Sequence, residues 1–154
     1  MVLKTIEPGI RPLVDALNET GLLETFSSCE GHFGEENSTG DFSDRTKAEV
    51  RAYVRNGVAE GDVEQLVLHV LSDHMDGNLK WEASLHVWKE YIADPRDDNL
   101  TQPLDSFFVF TICPFDPQGS DTLKRHVVDK LITATAASVR QHTLLRRTGT
   151  VTPL

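Results

Sequence analysis

The chain has 154 residues, 39% of them hydrophobic and 25% charged, which suits one domain with a real core. A net charge of −9 argues against broad electrostatic capture of nucleic acid, and the absence of a run of about 18 apolar residues argues against a membrane span. Two cysteines, Cys29 and Cys113, are too few for a secreted disulfide scaffold. With Lys4 and Glu7 in an N-terminus that lacks an apolar core, no signal peptide is expected, and the expected location is cytoplasmic.

The first predicted element is a helix from about Pro8 to Thr20. Pro8 suits a first turn, Ile10, Leu13, Val14 and Leu17 form one apolar face, and Gly21 stands where a left-handed cap is wanted. Leu22 to Cys29 reads as a strand that runs into a turn at Gly31. Residues 33–48 are polar, acidic and glycine-punctuated, hence a loop, in position to lie over that turn as a flap. Glu49 to Asn56 alternates Val50, Ala52 and Val54 with Arg51, Tyr53 and Arg55, the period of a half-buried strand, although its charged residues also allow a helix.

A second helix is expected to open at Asp62, with Gln65 completing a capping-box pattern and Gly77 closing it. Leu79 to Trp88 alternates as a strand, with Leu79, Trp81, Ala83, Leu85 and Val87 on one face. An acidic connection then spans Lys89 to Pro103. Phe107 to Cys113 is a continuous apolar run ended by Pro114, suited to a central strand buried on both faces. A last helix begins near Ser120 or Asp121 and runs to about Gln141. The whole predicts an α+β domain over residues 1–145, with a flexible tail at 146–154. Its four-stranded sheet is mixed or mainly antiparallel, carries three helices, and is ferredoxin-like as a first topology.

The reactive groups concentrate at Ser27-Ser28-Cys29-Glu30-Gly31-His32. Cys29 and His32 are spaced so that one turn can bring both to a single ion, and Cys113, at the end of its own strand, is the third ligand expected for zinc. That meeting requires the strands of Cys29 and Cys113 to be parallel neighbours. If the last two strands form a hairpin, Cys113 falls near Leu79 and Trp81, and His86 near Ser106. A second reading pairs Cys29 with His32 as thiolate and imidazolium, with Glu30 as general base or as the group that orients His32. His69 and His74 are five residues apart on one helix and diverge.

Leu13-Val14-Asp15-Ala16-Leu17-Asn18 with Thr25-Phe26-Ser27-Ser28-Cys29-Glu30-Gly31-His32 resembles the N-terminal motif of the wybutosine-synthesising tRNA methyltransferases. That family carries serine before the glycine and arginine after it, where this chain has Glu30 and His32. The same turn is similar to that of small bacterial and phage proteins with a Ser-Cys-x-Gly-His motif, which fit it more closely. The methyltransferase resemblance covers about residues 13–32. It implies an α/β fold, S-adenosylmethionine as cofactor, an RNA substrate, and Ser27, Ser28 and Gly31 as cofactor-binding positions beside Cys29.

Charge is uneven along the chain. Residues 101–154 hold four acids against six bases: Lys124, Arg125, Lys130, Arg140, Arg146 and Arg147. This C-terminal basic strip is the one candidate route to nucleic acid, while the acidic remainder suits a basic protein partner. The expectation is a small cytosolic enzyme or enzyme-like protein, acting at the Ser27–His32 turn on a small molecule or nucleic acid, with zinc or, second, S-adenosylmethionine. The alternative is a non-catalytic acidic interaction or regulatory protein of bacterial or phage origin.

Overall fold

A computed structural model describes residues 5–33, 47–92, 105–115 and 119–149. The expected flap at 34–46, most of the acidic connection (93–104) and the end of the tail (150–154) lie outside the described residues. The elements, in chain order, are α1 (Arg11–Glu19), β1 (Leu23–Cys29), β2 (Ala48–Val54), α2 (Glu60–Asp76), a 3-10 turn (Leu79–Trp81), β3 (Ala83–Ile92), β4 (Asp105–Pro114) and α3 (Asp121–Arg147). The α+β class and the antiparallel four-stranded sheet with three helices are as the sequence predicts.

The strand order is β1-β2-β4-β3, antiparallel throughout. Chain direction explains it. After β2, helix α2 carries the chain across to β3 at the far edge, and β4 returns by antiparallel pairing into the slot between them. This split β–α–β unit is the core device of ferredoxin-like sheets. Here the edge beside β2 is taken by the N-terminal strand β1, before the crossover, rather than by a strand after the last helix.

The continuous apolar run of β4 finds its reason in that central position. Phe108, Phe110 and Ile112 pack into the main core, while Phe107, Val109 and Thr111 are buried on the other side. Ala48, Val50 and Ala52 of β2 join the core face. Helix α3 packs against both α1 and α2, burying Val128, Leu131, Ile132 and Val139.

Several boundaries differ from expectation, each for a local reason. Helix α1 starts at Arg11 and holds Pro12, not Pro8, in its first turn, while Gly21 takes the left-handed φ of 72° as expected. Helix α2 begins three residues early, at an extended Ala59 with no side-chain cap. Asp62 therefore lies inside the first turn, where its charge suits the positive end of the helix, and it pairs with Arg146 at 3.5 Å.

The predicted strand at Leu79 starts at Ala83, because Glu82 N–H donates to the Leu79 carbonyl at 2.9 Å and closes a 3-10 turn. Trp81 is consequently 76% exposed instead of facing the core. The hairpin register moves with it: Cys113 lies opposite Ser84 rather than Leu79 or Trp81, and His86 opposite Thr111 rather than Ser106. Helix α3 is capped by the Ser120 hydroxyl, which accepts from Leu123 N–H at 3.1 Å. It continues through Arg147, so Arg146 and Arg147 belong to its last turn and not to a loose tail.

Candidate metal centre

β1 is tied to α1 before it reaches the turn. Asn18 donates to Thr25 Oγ1 at 2.9 Å and accepts from Thr25 N–H at 3.0 Å. β1 is an edge strand, so alternate backbone N–H groups point away from β2 and that of Thr25 is available to Asn18. Just beyond it the ladder shifts register between Thr25, opposite Ala52, and Ser27, opposite Arg51. Phe26 is the extra, bulged residue, and its ring stacks on Tyr53 at 4.2 Å. A bulge reverses the alternation downstream. Ser27 and Cys29 therefore share a face with Arg51 and Glu49, while Ser28 shares one with Val50. The two serines are thus ladder residues on opposite faces, apart from the groups gathered at the end of the strand.

Gly31 makes the turn that follows, at φ +87°, a conformation that costs a side-chain-bearing residue energy. A Cβ there would meet the Phe33 ring at 2.9 Å and the Lys47 carbonyl at 3.2 Å. Arg125 of α3 grips the turn from outside, donating to the Glu30 carbonyl at 2.7 Å and the Gly31 carbonyl at 2.8 Å. Its guanidinium is held by Asp129 at 2.6 Å and lies 5.0 Å above the Phe33 ring. One long side chain thus fixes the turn against the helix layer.

The structure brings two of the expected groups together and leaves two apart. Cys29 and His32 converge, and the third member of their cluster is Glu7, not Cys113 or Glu30. One donor atom from each of Glu7, Cys29 and His32 lies within 4.8 Å of the other two, and all three residues are half-buried. His32 Nε2 stands 3.5 Å from Glu7 Oε2. Among the described residues this is the one group of three or more such donors close enough to share an ion.

Glu30 faces the other way. Its carboxylate accepts the Gly9 N–H at 2.6 Å, while its own N–H donates to Glu7 Oε1 at 3.0 Å. The carboxylate that stands beside His32 is thus that of Glu7 rather than that of Glu30. Cys113 stands apart because β2 lies between its strand and β1, so the two strands run in the same direction without being neighbours. Two strand spacings amount to about 9.5 Å, beyond the reach of a common ion. Both cysteines are free thiols.

The electrostatics of the turn disfavour a free thiolate at Cys29. Burial pushes the Cys29 thiol up, the Gly31 N–H at 3.5 Å from its sulfur opposes that, and the carboxylates of Glu7 and Glu30 raise it further. A thiol so placed is protonated near neutral pH and is a poor nucleophile. A divalent cation held by Glu7, Cys29 and His32 would reverse the balance, since its charge would favour the thiolate and the neighbouring carboxylate together.

The basic strip of α3 is largely engaged within the fold. Arg125 is taken by Asp129 and the turn, Lys130 by Glu82 at 3.5 Å, Arg140 by Glu19 at 3.2 Å and Arg146 by Asp62 at 3.5 Å. Arg147 donates to the Glu19 carbonyl at 3.5 Å, and Lys124, itself buried, lies 4.0 Å from Asp121. Apart from Lys124, whose partner Asp121 is on the same helix, these residues tie α3 to its neighbours rather than forming a stripe of unpaired cations. No helix among the described residues is long and apolar enough to cross a membrane.

Glu7 is the functional candidate that sequence reading misses. It lies 22 residues before Cys29, and its one local signal is the Pro8-Gly9 pair behind it, which marks a turn. Comparison of the chain with family models, with curated proteins and with solved structures finds no match.

Proposed function

We propose that the protein is a small zinc-dependent hydrolytic enzyme with its metal at Glu7, Cys29 and His32. The observation that supports this most is the convergence of a carboxylate, a thiol and an imidazole on one point at the end of an edge strand. Those donor types are the zinc set, and three protein ligands leave the fourth tetrahedral position to water, the pattern of catalytic rather than structural sites. Thiolate and carboxylate together balance the charge of the ion, while a neutral imidazole completes the set.

Zinc held by Glu7, Cys29 and His32 would supply Lewis-acid activation of water near neutral pH. The half-exposed rim of the cluster lets a small substrate approach it. Gly31, Arg125 and the Gly9–Glu30 contact hold the ligands in place, which limits the reorganisation needed when the ion binds.

The test uses cobalt as a spectroscopic stand-in and two chromogenic probes, p-nitrophenyl acetate and bis-p-nitrophenyl phosphate. Cobalt-loaded protein should show sulfur-to-metal charge transfer that disappears in Cys29→Ser. Zinc-loaded protein should hydrolyse one of the two probes, and Cys29→Ser and His32→Ala should lose that activity. Metal-loaded protein that turns over neither probe would overturn the hydrolytic reading. Unaltered cobalt spectra in Cys29→Ser would overturn the site.

A further inference from the structure

A cavity of about 480 Å³ lies between α2 and α3, on residues that the metal cluster does not use. Its walls are Val70, Leu79, Leu131, Ala134 and Ala137, with a few polar groups set among them: Asp73, His74, Thr135, Ser138 and Gln141. That size and composition are those of small-molecule sites, apolar for affinity and sparingly polar for orientation.

Two of those polar groups carry the argument. Thr135 is only 3% exposed, and its hydroxyl has no hydrogen-bond partner among the described residues. On a helix, a threonine hydroxyl commonly returns to a carbonyl of the preceding turn, as Thr143 does to Val139 at 3.0 Å. Thr135 forgoes that bond and leaves a buried donor and acceptor at the cavity wall, a costly arrangement that a ligand group can repair.

The second is Asp73. Its carboxylate is held by the Ser138 hydroxyl at 2.6 Å and stands 3.4 Å from His69 Nε2, so it is fixed in orientation at the half-exposed edge of the cavity. Among the cavity's lining residues Asp73 carries the one carboxylate, and there is no lysine or arginine. His74 beside it is held toward its neutral form by burial, with His86 and Lys80 acting in the same direction.

We propose that this cavity binds a small apolar amine, with its hydrocarbon body between Val70, Leu79 and Leu131, its ammonium on Asp73 and a polar contact to Thr135. The charge match selects a cation over a neutral isostere, and the ordered carboxylate gives it direction. The site is independent of the zinc reading, since it shares no residue with Glu7, Cys29 or His32.

The test is a titration of the full chain, followed by amide chemical shifts, with 2-phenylethylamine and, in parallel, the neutral 2-phenylethanol. Saturable shifts centred on residues 70–79 and 131–141 are expected from the amine, with the alcohol weaker by about tenfold. Asp73→Asn retains an acceptor for Ser138 and should bring the amine down to the affinity of the alcohol. Ala137→Phe, at an exposed wall position, should fill the cavity and abolish both responses without touching the core. Equal binding of amine and alcohol, no saturable shift from either, or undiminished binding to Ala137→Phe would each overturn the proposal.

Discussion

Glu7 and Glu30 hold each other's segments in place. Glu30 N–H donates to Glu7 Oε1 at 3.0 Å, and the Glu30 carboxylate accepts the N–H of Gly9, two residues beyond Glu7, at 2.6 Å. The exchange stitches the stretch before α1 to the end of β1. It leaves the second oxygen of Glu7 beside His32 and commits Glu30 to the backbone. Of two carboxylates that reach the turn, one stands beside His32 and the other braces the backbone.

The brace depends on a tight turn. Gly31→Ala places a Cβ 2.9 Å from the Phe33 ring in a backbone conformation of φ +87°. A loss of about 1–3 kcal/mol in urea unfolding is expected, together with weaker metal binding.

Arg125 is the outer clamp. Arg125→Met keeps an apolar stem of similar reach but removes the donors to the Glu30 and Gly31 carbonyls and the guanidinium above Phe33. Stability should fall by about 1–3 kcal/mol, measured by denaturant melts. Arg125→Lys should restore little of it, because one ammonium cannot reproduce the planar fork that spans two carbonyls and Asp129.

The Cys29 thiol should alkylate slowly at neutral pH in metal-free protein. Burial raises its pKa, so reaction with iodoacetamide should accelerate only above the ordinary thiol range. The linkage sign follows: the unfolded chain releases this proton first, so stability present at neutral pH is lost as pH rises through and above the unfolded thiol value. Cys113 is raised too, by burial first, so the profile is best read in Cys113→Ser. Zinc should protect Cys29 from the reagent.

His142 sets a limit on the acid side. It is 2% exposed, neither ring nitrogen has a hydrogen-bond partner among the described residues, and the His69 ring lies 5.1 Å away. Burial lowers its pKa, and His69 and Arg146 add to that. The unfolded chain therefore takes up this proton first, and stability falls as pH drops below about 6.5, by up to about 1.4 kcal/mol per pH unit. His142→Leu should be more stable at pH 7 and should flatten the loss between pH 7 and 5 in urea midpoints, His74 supplying what remains.

Much of the fold is written locally, and the parts that are not depend on pairing. The apolar run Phe107–Cys113 announces a central strand because it needs burial on both faces, and Gly31 announces the turn because φ is positive there. The alternation at Leu79–Trp81 misleads, since a 3-10 turn and a strand start can share the same apolar spacing and only the Leu79–Glu82 hydrogen bond decides. Cys29-x-x-His32 is legible as a pair because its geometry is local. Glu7 is not, because its place is set by the contact of its segment with β1. Cys113 is misplaced in sequence reading for the opposite reason: its strand does end at the same side of the sheet, but β2 occupies the slot between.

The most direct test of the metal centre is zinc binding, by elemental analysis and competition with a chromophoric chelator, in the native chain, Glu7→Gln and Glu30→Gln. Gln at position 30 still offers an oxygen to Gly9 N–H, whereas Gln at position 7 loses the anionic ligand. One zinc per chain is expected in the native protein and in Glu30→Gln, with affinity reduced about tenfold or more in Glu7→Gln. A native chain that takes up no zinc, or one whose affinity drops with Glu30→Gln and not with Glu7→Gln, would contradict the assignment of Glu7, Cys29 and His32.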